Sequence, residues 1–276
     1  MNITALDALD ATAIAAALGA RRGELAIEVL DRCASTNALL LERSSGGRPA
    51  LLVAEEQTAG RGRRGRRWHS ARGDGLTFSF ARRMRRPVAE LSGLSLAAGV
   101  AAARTLRDVG AAEVALKWPN DLVARGAKLG GILVETRSAD SGTLAVIGIG
   151  VNWRTTSGLD ERLRREVIAL DRLLDPLPAR NALIAGIAGA LMDALSAFES
   201  SGLSTLRAQW EALHAHAGQR IRVRFGDGRV VSGEAAGISG DGALRLRTRR
   251  GVRDIHSAQI VTARTAPAAR SARRAA

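Results

Sequence analysis

The chain has no tyrosine, four phenylalanines, four tryptophans and one cysteine. Its 41 basic residues include only two lysines, Lys117 and Lys128. Each scarcity removes a class of protein. A single cysteine, Cys33, rules out an intrachain disulfide framework and fits a reducing cytosol; its most economical reading is a small buried side chain. Few aromatic rings argue against a single-strand nucleic-acid platform, which stacks bases on rings. No convincing Ser/His/Asp or Cys/His set for nucleophilic catalysis is present. No stretch reaches the ~18 apolar residues that a spanning helix needs, so no membrane partner is expected. The N-terminus MNITALDALDATAIAAALGA has no basic leader and sets Asp7 and Asp10 before its apolar part, unlike a signal peptide. A soluble, cytoplasmic protein is the expectation.

What is there is length, apolar content and positive charge. With 276 residues, 46% of them hydrophobic, the chain can fill one large domain or two unequal ones. A net charge of +14 points first to nucleic acid. The arginine excess, with much alanine and glycine, equally fits a GC-rich coding sequence. Part of the charge is segregated into Arg61, Arg63, Arg64, Arg66 and Arg67 in one stretch and Arg264, Arg270, Arg273 and Arg274 at the end. As a DNA-binding signal this is weak.

Hydrophobic period and turn residues set the element order. Residues 1–24 form a short alanine-rich segment with a helix around Asp10–Leu18. LAIEVLD alternates like a strand; Ser35-Thr36-Asn37 then opens a helix, with Ser or Thr as its N-cap. ALLVAEE reads as a buried strand, residues 58–75 as a long loop, and GLTFSFARR as an alternating strand. LSGLSLAAGVAAARTLRDVG is a helix ended by glycine. VALKWPND is a strand ending in a proline turn, and KLGGILVETRS and TLAVIGIGVNW are strands joined by a hairpin at Ala139–Gly142. Residues 159–174 read as one or two short helices, Arg180–Glu199 as a long amphipathic helix, and Leu203–His214 as another. From Gly218 four or five short strands follow, with turns at Gly226-Asp227-Gly228 and Gly240-Asp241-Gly242, as in a small SH3-like barrel. TAPAARSARRAA lacks large apolar residues and is expected to be disordered.

Four segments carry chemistry. Gly60 to Gly65 matches G-x-G-x-x-G but stands neither directly after a strand nor at a helix start, so a dinucleotide fold does not follow, and no Walker A lysine follows either. Its glycines let a ligand approach the backbone, and its arginines offer forks for phosphate or carboxylate. Such a charged loop should be poorly ordered before an anion binds. A solvated basic loop explains it about as well. KWPND places Lys117, Asn120 and Asp121 at a strand end, where reactive groups gather. KLGGILVE puts Lys128 before a glycine pair, and GIGVN ends a strand on Asn152. Alone, each is read as easily as a surface lysine, a glycine bulge or a turn asparagine.

In this order and spacing, GRGRRGRRWHS, KWPND, KLGGILVE and GIGVN closely resemble the catalytic domain of biotin–protein ligases. Ser35-Thr36-Asn37 and Gln57 add to the match, which is strong over residues 25–155 and looser beyond. The resemblance implies an α+β fold of class II synthetase and biotin ligase type, with a mixed-sheet catalytic domain at 25–216. An SH3-like barrel at 218–262 and a basic tail at 263–276 would follow. It implies ATP and Mg²⁺ as cofactors and biotin as substrate. A biotin carboxyl carrier protein would be the acceptor, and the enzyme a monomer or homodimer. Ser35, Thr36, Asn37 and Gln57 would contact biotin's ureido head. Arg61, Gly62 and Arg63 would close over biotin and adenylate, and Lys128 would meet the biotin carboxylate. Arg64 and Arg66 would lie near the phosphates, while Lys117, Asn120, Asp121 and Asn152 would line the ATP side. Arg61, Arg63 and Lys128 are the catalytic candidates, and Asp121 is the magnesium candidate. Some members carry an N-terminal winged helix that binds operator DNA; only residues 1–24 precede the core here, so no operator DNA is expected. No counterpart of the family's adenosine loop is recognisable after Trp153, and His69 reads as structural. The alternatives are a lipoate or octanoate ligase of related fold, and a nucleic-acid module using the arginine loop.

Overall fold

The computed structural model describes residues 8–43, 47–139, 142–156 and 166–264. The tip of the Ala139–Gly142 hairpin, much of the helix read over 159–174, and the tail from 265 lie outside these residues. The chain divides into two compact units, one running to Ala215 and including Gly240–Gly242, the other comprising His216–Ser239 and Ala243 onward.

The first unit opens with α1 (Ala11–Ala17), whose N-cap Asp10 accepts the Ala13 N–H at 2.7 Å. Then come β1 (Ala26–Cys33), α2 (Thr36–Arg43), β2 (Ala50–Gln57), β3 (Gly75–Met84) and α3 (Leu94–Asp108). β4 (Ala115–Lys117), β5 (Asp121–Ala124), β6 (Ala127–Ala139), β7 (Gly142–Asn152), α4 (Arg180–Ser201) and α5 (Arg207–Ala212) complete it. Seven strands form one sheet in the order β1-β2-β3-β7-β6-β5-β4. β1 and β2 run parallel and the other ladders antiparallel, which makes the sheet mixed and the unit α+β.

Strand alternation gives this sheet two unlike faces. Leu76, Phe78 and Phe80 of β3 with Ile147, Ile149 and Val151 of β7 are buried on the side of α3 and α4. On the other side α2 packs through Leu40 onto Leu52, Ala81, Leu144 and Val146.

The α4 helix corrects one expectation. Its 22 residues are long and apolar enough to cross a membrane by length and composition, where the sequence reading expects no such stretch. It is a core helix: Leu183, Ile184, Ile187, Leu191, Leu195 and Phe198 are buried. Its exposed stripe includes the small residues Ala182, Gly186 and Ser196, which is why its composition reads as apolar all round.

In the second unit β8 (Arg220–Arg224), β9 (Val230–Ile238), β10 (Leu244–Thr248), β11 (Gly251–Ile255) and β12 (Gln259–Arg264) form a sheet in the order β11-β10-β9-β8-β12. In β8 the arginines are exposed while Ile221 and Val223 are buried. Among the described residues no ladder joins β11 to β12, so the backbone pairing is that of an open sheet rather than a closed barrel.

Candidate functional site

The site is built on the α2 face of the seven-stranded sheet, where register sets two rows of residues side by side. One row runs Thr77, Gly150, Gly131, Asp121 and Lys117 across β3, β7, β6, β5 and β4. The next runs Ser79, Gly148 and Leu133. The glycines make the floor low. A Cβ on Gly148 would collide with Asn37 Oδ1, and one on Gly150 would overlap the Trp68 ring. Gly148 and Gly150 sit in a regular ladder, so their role is clearance rather than a bulge.

A bulge does exist, in β6. Leu122 pairs with Gly130 but Val123 pairs with Lys128, leaving Leu129 as the extra residue. One inserted residue reverses the alternation. It turns Lys128 onto the α2 face, where its Nζ lies above Gly131 and donates to Asp121 Oδ1 at 2.5 Å.

Over the second row sits the start of α2. Ser35 caps the helix: its Oγ accepts from Ala38 N at 3.4 Å. Thr36, Asn37 and Ser79 are buried, and each buried polar atom needs a partner. They find one another in a chain. Gln57 Oε1 accepts from Thr36 N at 2.7 Å and from Thr36 Oγ1 at 3.1 Å. Thr36 Oγ1 meets Ser79 Oγ at 2.6 Å. The Ser79 hydroxyl donates to Asn37 Oδ1. Asn37 Nδ2 donates to Glu135 Oε2 at 2.8 Å and to the Leu133 carbonyl at 3.2 Å. The same Glu135 oxygen accepts from Arg61 at 3.0 Å. Four of the sequence candidates, Gln57, Thr36, Asn37 and Arg61, thus belong to one hydrogen-bonded line.

The glycine–arginine loop follows β2 and carries Arg61, Arg63, Arg64 and Arg66. Its backbone folds back on itself, with bridges Gln57↔Ser70 and Arg61↔Arg67 and the bonds Trp68 N to Gly60 O, 2.9 Å, and Gly62 N to Arg66 O, 2.7 Å. A Cβ on Gly60 would run into the Trp68 carbonyl, so only glycine allows this pairing. Arg63–Gly65 make a 3₁₀ turn at the tip. Arg64 there has φ 56°, a left-handed conformation costly to a side-chain-bearing residue. Arg66 is exposed. Burial, and next the Arg64 charge, push the Arg63 guanidinium below its ordinary range, with Asp121 opposing.

On the other side of the row, Lys117 pairs with Asp121 across the β4–β5 hairpin, and Asn120 Nδ2 donates to the Ile132 carbonyl at 3.0 Å. Asn152 Nδ2 donates to the carbonyls of Ile168, 3.0 Å, and Lys128, 3.3 Å, tying the chain at 166–168 to the site. Among the described residues no three His, Cys, Asp or Glu side chains gather to hold a metal. Asp121 already has one oxygen engaged by Lys128, so a magnesium ion here would rest mainly on phosphate oxygens. Cys33 is half-buried, and burial pushes its thiol up, which makes it a poor nucleophile.

Ser79 and Thr77 are site residues outside the sequence motifs, and Trp68 and Glu135 lie inside GRGRRGRRWHS and KLGGILVE without a role assigned from the sequence. Thr77 Oγ1 meets Ser70 Oγ at 3.1 Å, and the Trp68 indole N–H is buried without a hydrogen-bond partner. A period-two reading of GIGVN and TFSF as polar or small on one face would have flagged the floor.

Residues 29–152 match the biotin/lipoate A/B protein ligase family, and residues 216–262 the biotin protein ligase C-terminal domain. The chain is 38% identical to the bifunctional ligase/repressor BirA of Salmonella typhimurium, over 80% of this chain and 69% of that one. It is 35% identical to the biotin–[acetyl-CoA-carboxylase] ligase of Mycobacterium tuberculosis, over 83% and 86%.

The chain belongs to the biotin protein ligase family.

A solved biotin protein ligase, from Aquifex aeolicus in complex with biotin and ATP, superposes with a TM-score of 0.72 at 25% identity, over 87% of this chain and 99% of that one. The fold of the chain is that of biotin protein ligases.

Proposed function

We propose that the chain activates biotin with ATP as biotinyl-5′-adenylate and transfers the biotinyl group to a lysine of a biotin carboxyl carrier protein. The observation that carries this is the line of bonds from Gln57 through Thr36, Ser79, Asn37 and Glu135 to Arg61, lying beside the Lys128–Asp121 pair. A neutral ureido ring needs a few fixed donors and acceptors, and hydroxyl and amide groups supply both. Ser35, Thr36, Asn37 and Gln57 bind that head. Gly148, Gly150 and Gly131 let Asn37, Trp68 and Lys128 lie low against the sheet, and the valeryl chain would run above them toward Lys128.

In the first step a biotin carboxylate oxygen attacks the α-phosphorus of ATP and pyrophosphate leaves. Two anions must approach, which is unfavourable unless cations are fixed between them. Lys128 receives the carboxylate, and Arg61, Gly62 and Arg63 cover it. Arg64 and Arg66 face the phosphates, and Lys117, Asn120, Asp121 and Asn152 line the nucleotide side. Magnesium would supply charge neutralisation at the phosphates, with Asp121 as its single protein oxygen. In the second step the acceptor amine attacks the acyl carbon, AMP leaves, and the amine loses a proton. Closure of the loop keeps water from the anhydride. In this reading residues 25–216 are the catalytic domain and 218–262 an SH3-like unit, its strands paired as an open sheet among the described residues.

Biotin-dependent exchange of pyrophosphate into ATP tests the proposal, with lipoate as competitor. Exchange that requires biotin and ignores lipoate is the expected result. No exchange, or exchange driven by lipoate, rejects it.

A further inference from the structure

Glu135 poses a question that fold stability does not answer. A carboxylate stands on the face where two anionic substrates must meet, and its field opposes both. Its ion pair with Arg61 is partly open to water, the side chains being 26% and 44% exposed, so screening leaves it little value as a stabilising contact. Its neighbour across the ladder, Val146, belongs to the apolar cluster under α2 and asks for no charge. What the carboxylate does is join two things. One oxygen, Oε2, accepts from Asn37 Nδ2 at 2.8 Å and from Arg61 at 3.0 Å.

Both ends of the Asn37 amide are occupied by protein. Oδ1 accepts from Ser79, and Nδ2 donates to Glu135 and to the Leu133 carbonyl. A ligand head that seats on Asn37 must therefore share or exchange one of these bonds. Ser79 and the Leu133 carbonyl belong to the sheet. Glu135 alone leads to a residue of the loop. Arg61 sits where the loop closes, in the Arg61↔Arg67 bridge, so a bond to its side chain acts at the base of the arginine-bearing tip.

We propose that Glu135 is a positioning residue that couples occupancy of the Asn37 pocket to the placement of the glycine–arginine loop. Before ligand binds, it holds Arg61 against Asn37. When the head group takes up Asn37, Oε2 releases the amide and keeps Arg61, holding it and the loop over the ligand. Glu135 touches no reacting atom. The inference rests on the proposed function for the identity of the ligand, and deepens it by naming the residue that links the head pocket to the loop.

The test uses the full chain and two readouts. In pyrophosphate exchange, Glu135→Gln raises the KM for biotin by about 10- to 100-fold, the range for losing one hydrogen bond to a charged partner, while kcat stays nearly unchanged. In an Arg61→Ala background, Glu135→Gln raises KM little further, because the two changes cut one link. Glu135→Asp, which keeps the charge on a shorter arm, recovers part of the affinity and guards against a misfolded glutamine variant. The second readout is trypsin cleavage within Arg61–Arg67, with biotin as the only ligand. Biotin protects the wild-type loop, and Glu135→Gln abolishes that protection. Equal protection in both chains, an unprotected wild-type loop, or an unchanged KM overturns the assignment. Failure of the wild-type chain to exchange pyrophosphate would instead reject the proposed reaction, while the trypsin readout still decides the role of Glu135.

Discussion

The two faces of the seven-stranded sheet are made by the same strands and differ in nearly every respect. Under α3 and α4, β3 and β7 present Leu76, Phe78, Phe80, Ile147, Ile149 and Val151, all buried. Under α2 the same strands present Thr77, Ser79, Gly148 and Gly150. One face is filled with large apolar side chains; the other trades them for clearance and hydrogen-bond capacity. A strand alternates at each residue, so one segment can serve the core and a site at once without compromise at any position. Substitutions on the two faces should separate stability from chemistry.

The largest effect falls on the buried pair under the sheet. Arg180 holds both oxygens of Glu55 at 2.8 Å with side chains 1% and 6% exposed, and its guanidinium lies 5.4 Å from the Trp153 ring. Glu55→Ala leaves that buried guanidinium without its carboxylate, at a cost of about 3–5 kcal/mol. Thermal unfolding should show it, while the folded fraction keeps its biotin KM. A lost KM at unchanged stability would merge the two faces. Next comes Lys128→Ala, which removes the cation proposed for the biotin carboxylate and should slow adenylation about 10²- to 10³-fold. The pair is 15% and 25% exposed, so water takes up part of the lost contact and the unfolding midpoint should fall less than for Glu55→Ala. Gly148→Ala is milder: the new Cβ pushes Asn37 aside, raising the biotin KM about 10-fold through the displaced amide. At the bottom of the scale is Arg125→Ala. Arg125 grips Glu113 at 2.7 Å and holds its carboxyl below the usual range. A lowered folded-state value gives stability present above the unfolded value and lost as pH falls through the lowered one. Both groups face water, so neither the midpoint nor exchange kinetics should change measurably.

The contrast between the faces also explains how much of the molecule is legible in its sequence. Periodicity locates β3, β7 and α3 because each has a large buried face, and the four motifs locate the site because their residue types are unusual together. Register is not legible in this way. Glu135 looks like the end of a strand until β6 is laid beside β7 and α2 is set over both, and only then does it meet Asn37 and Arg61. Lys128 is subtler, since simple alternation would send it to the apolar side. The extra residue at Leu129 reverses it, and a bulge is visible only from the partner strand. The strand order β1-β2-β3-β7-β6-β5-β4 is likewise a property of long-range pairing. Trp68 follows the glycine loop without any local sign that its ring lies over Gly150.

The most direct measurement is a crystal structure of the chain grown with biotin and ATP. The account predicts ligand density on the α2 face, with the ureido ring at Asn37, the carboxylate end at Lys128 and the Arg61–Arg67 loop above it. Ligand bound elsewhere on the chain, or density on this face with the loop turned away from it, would contradict the account.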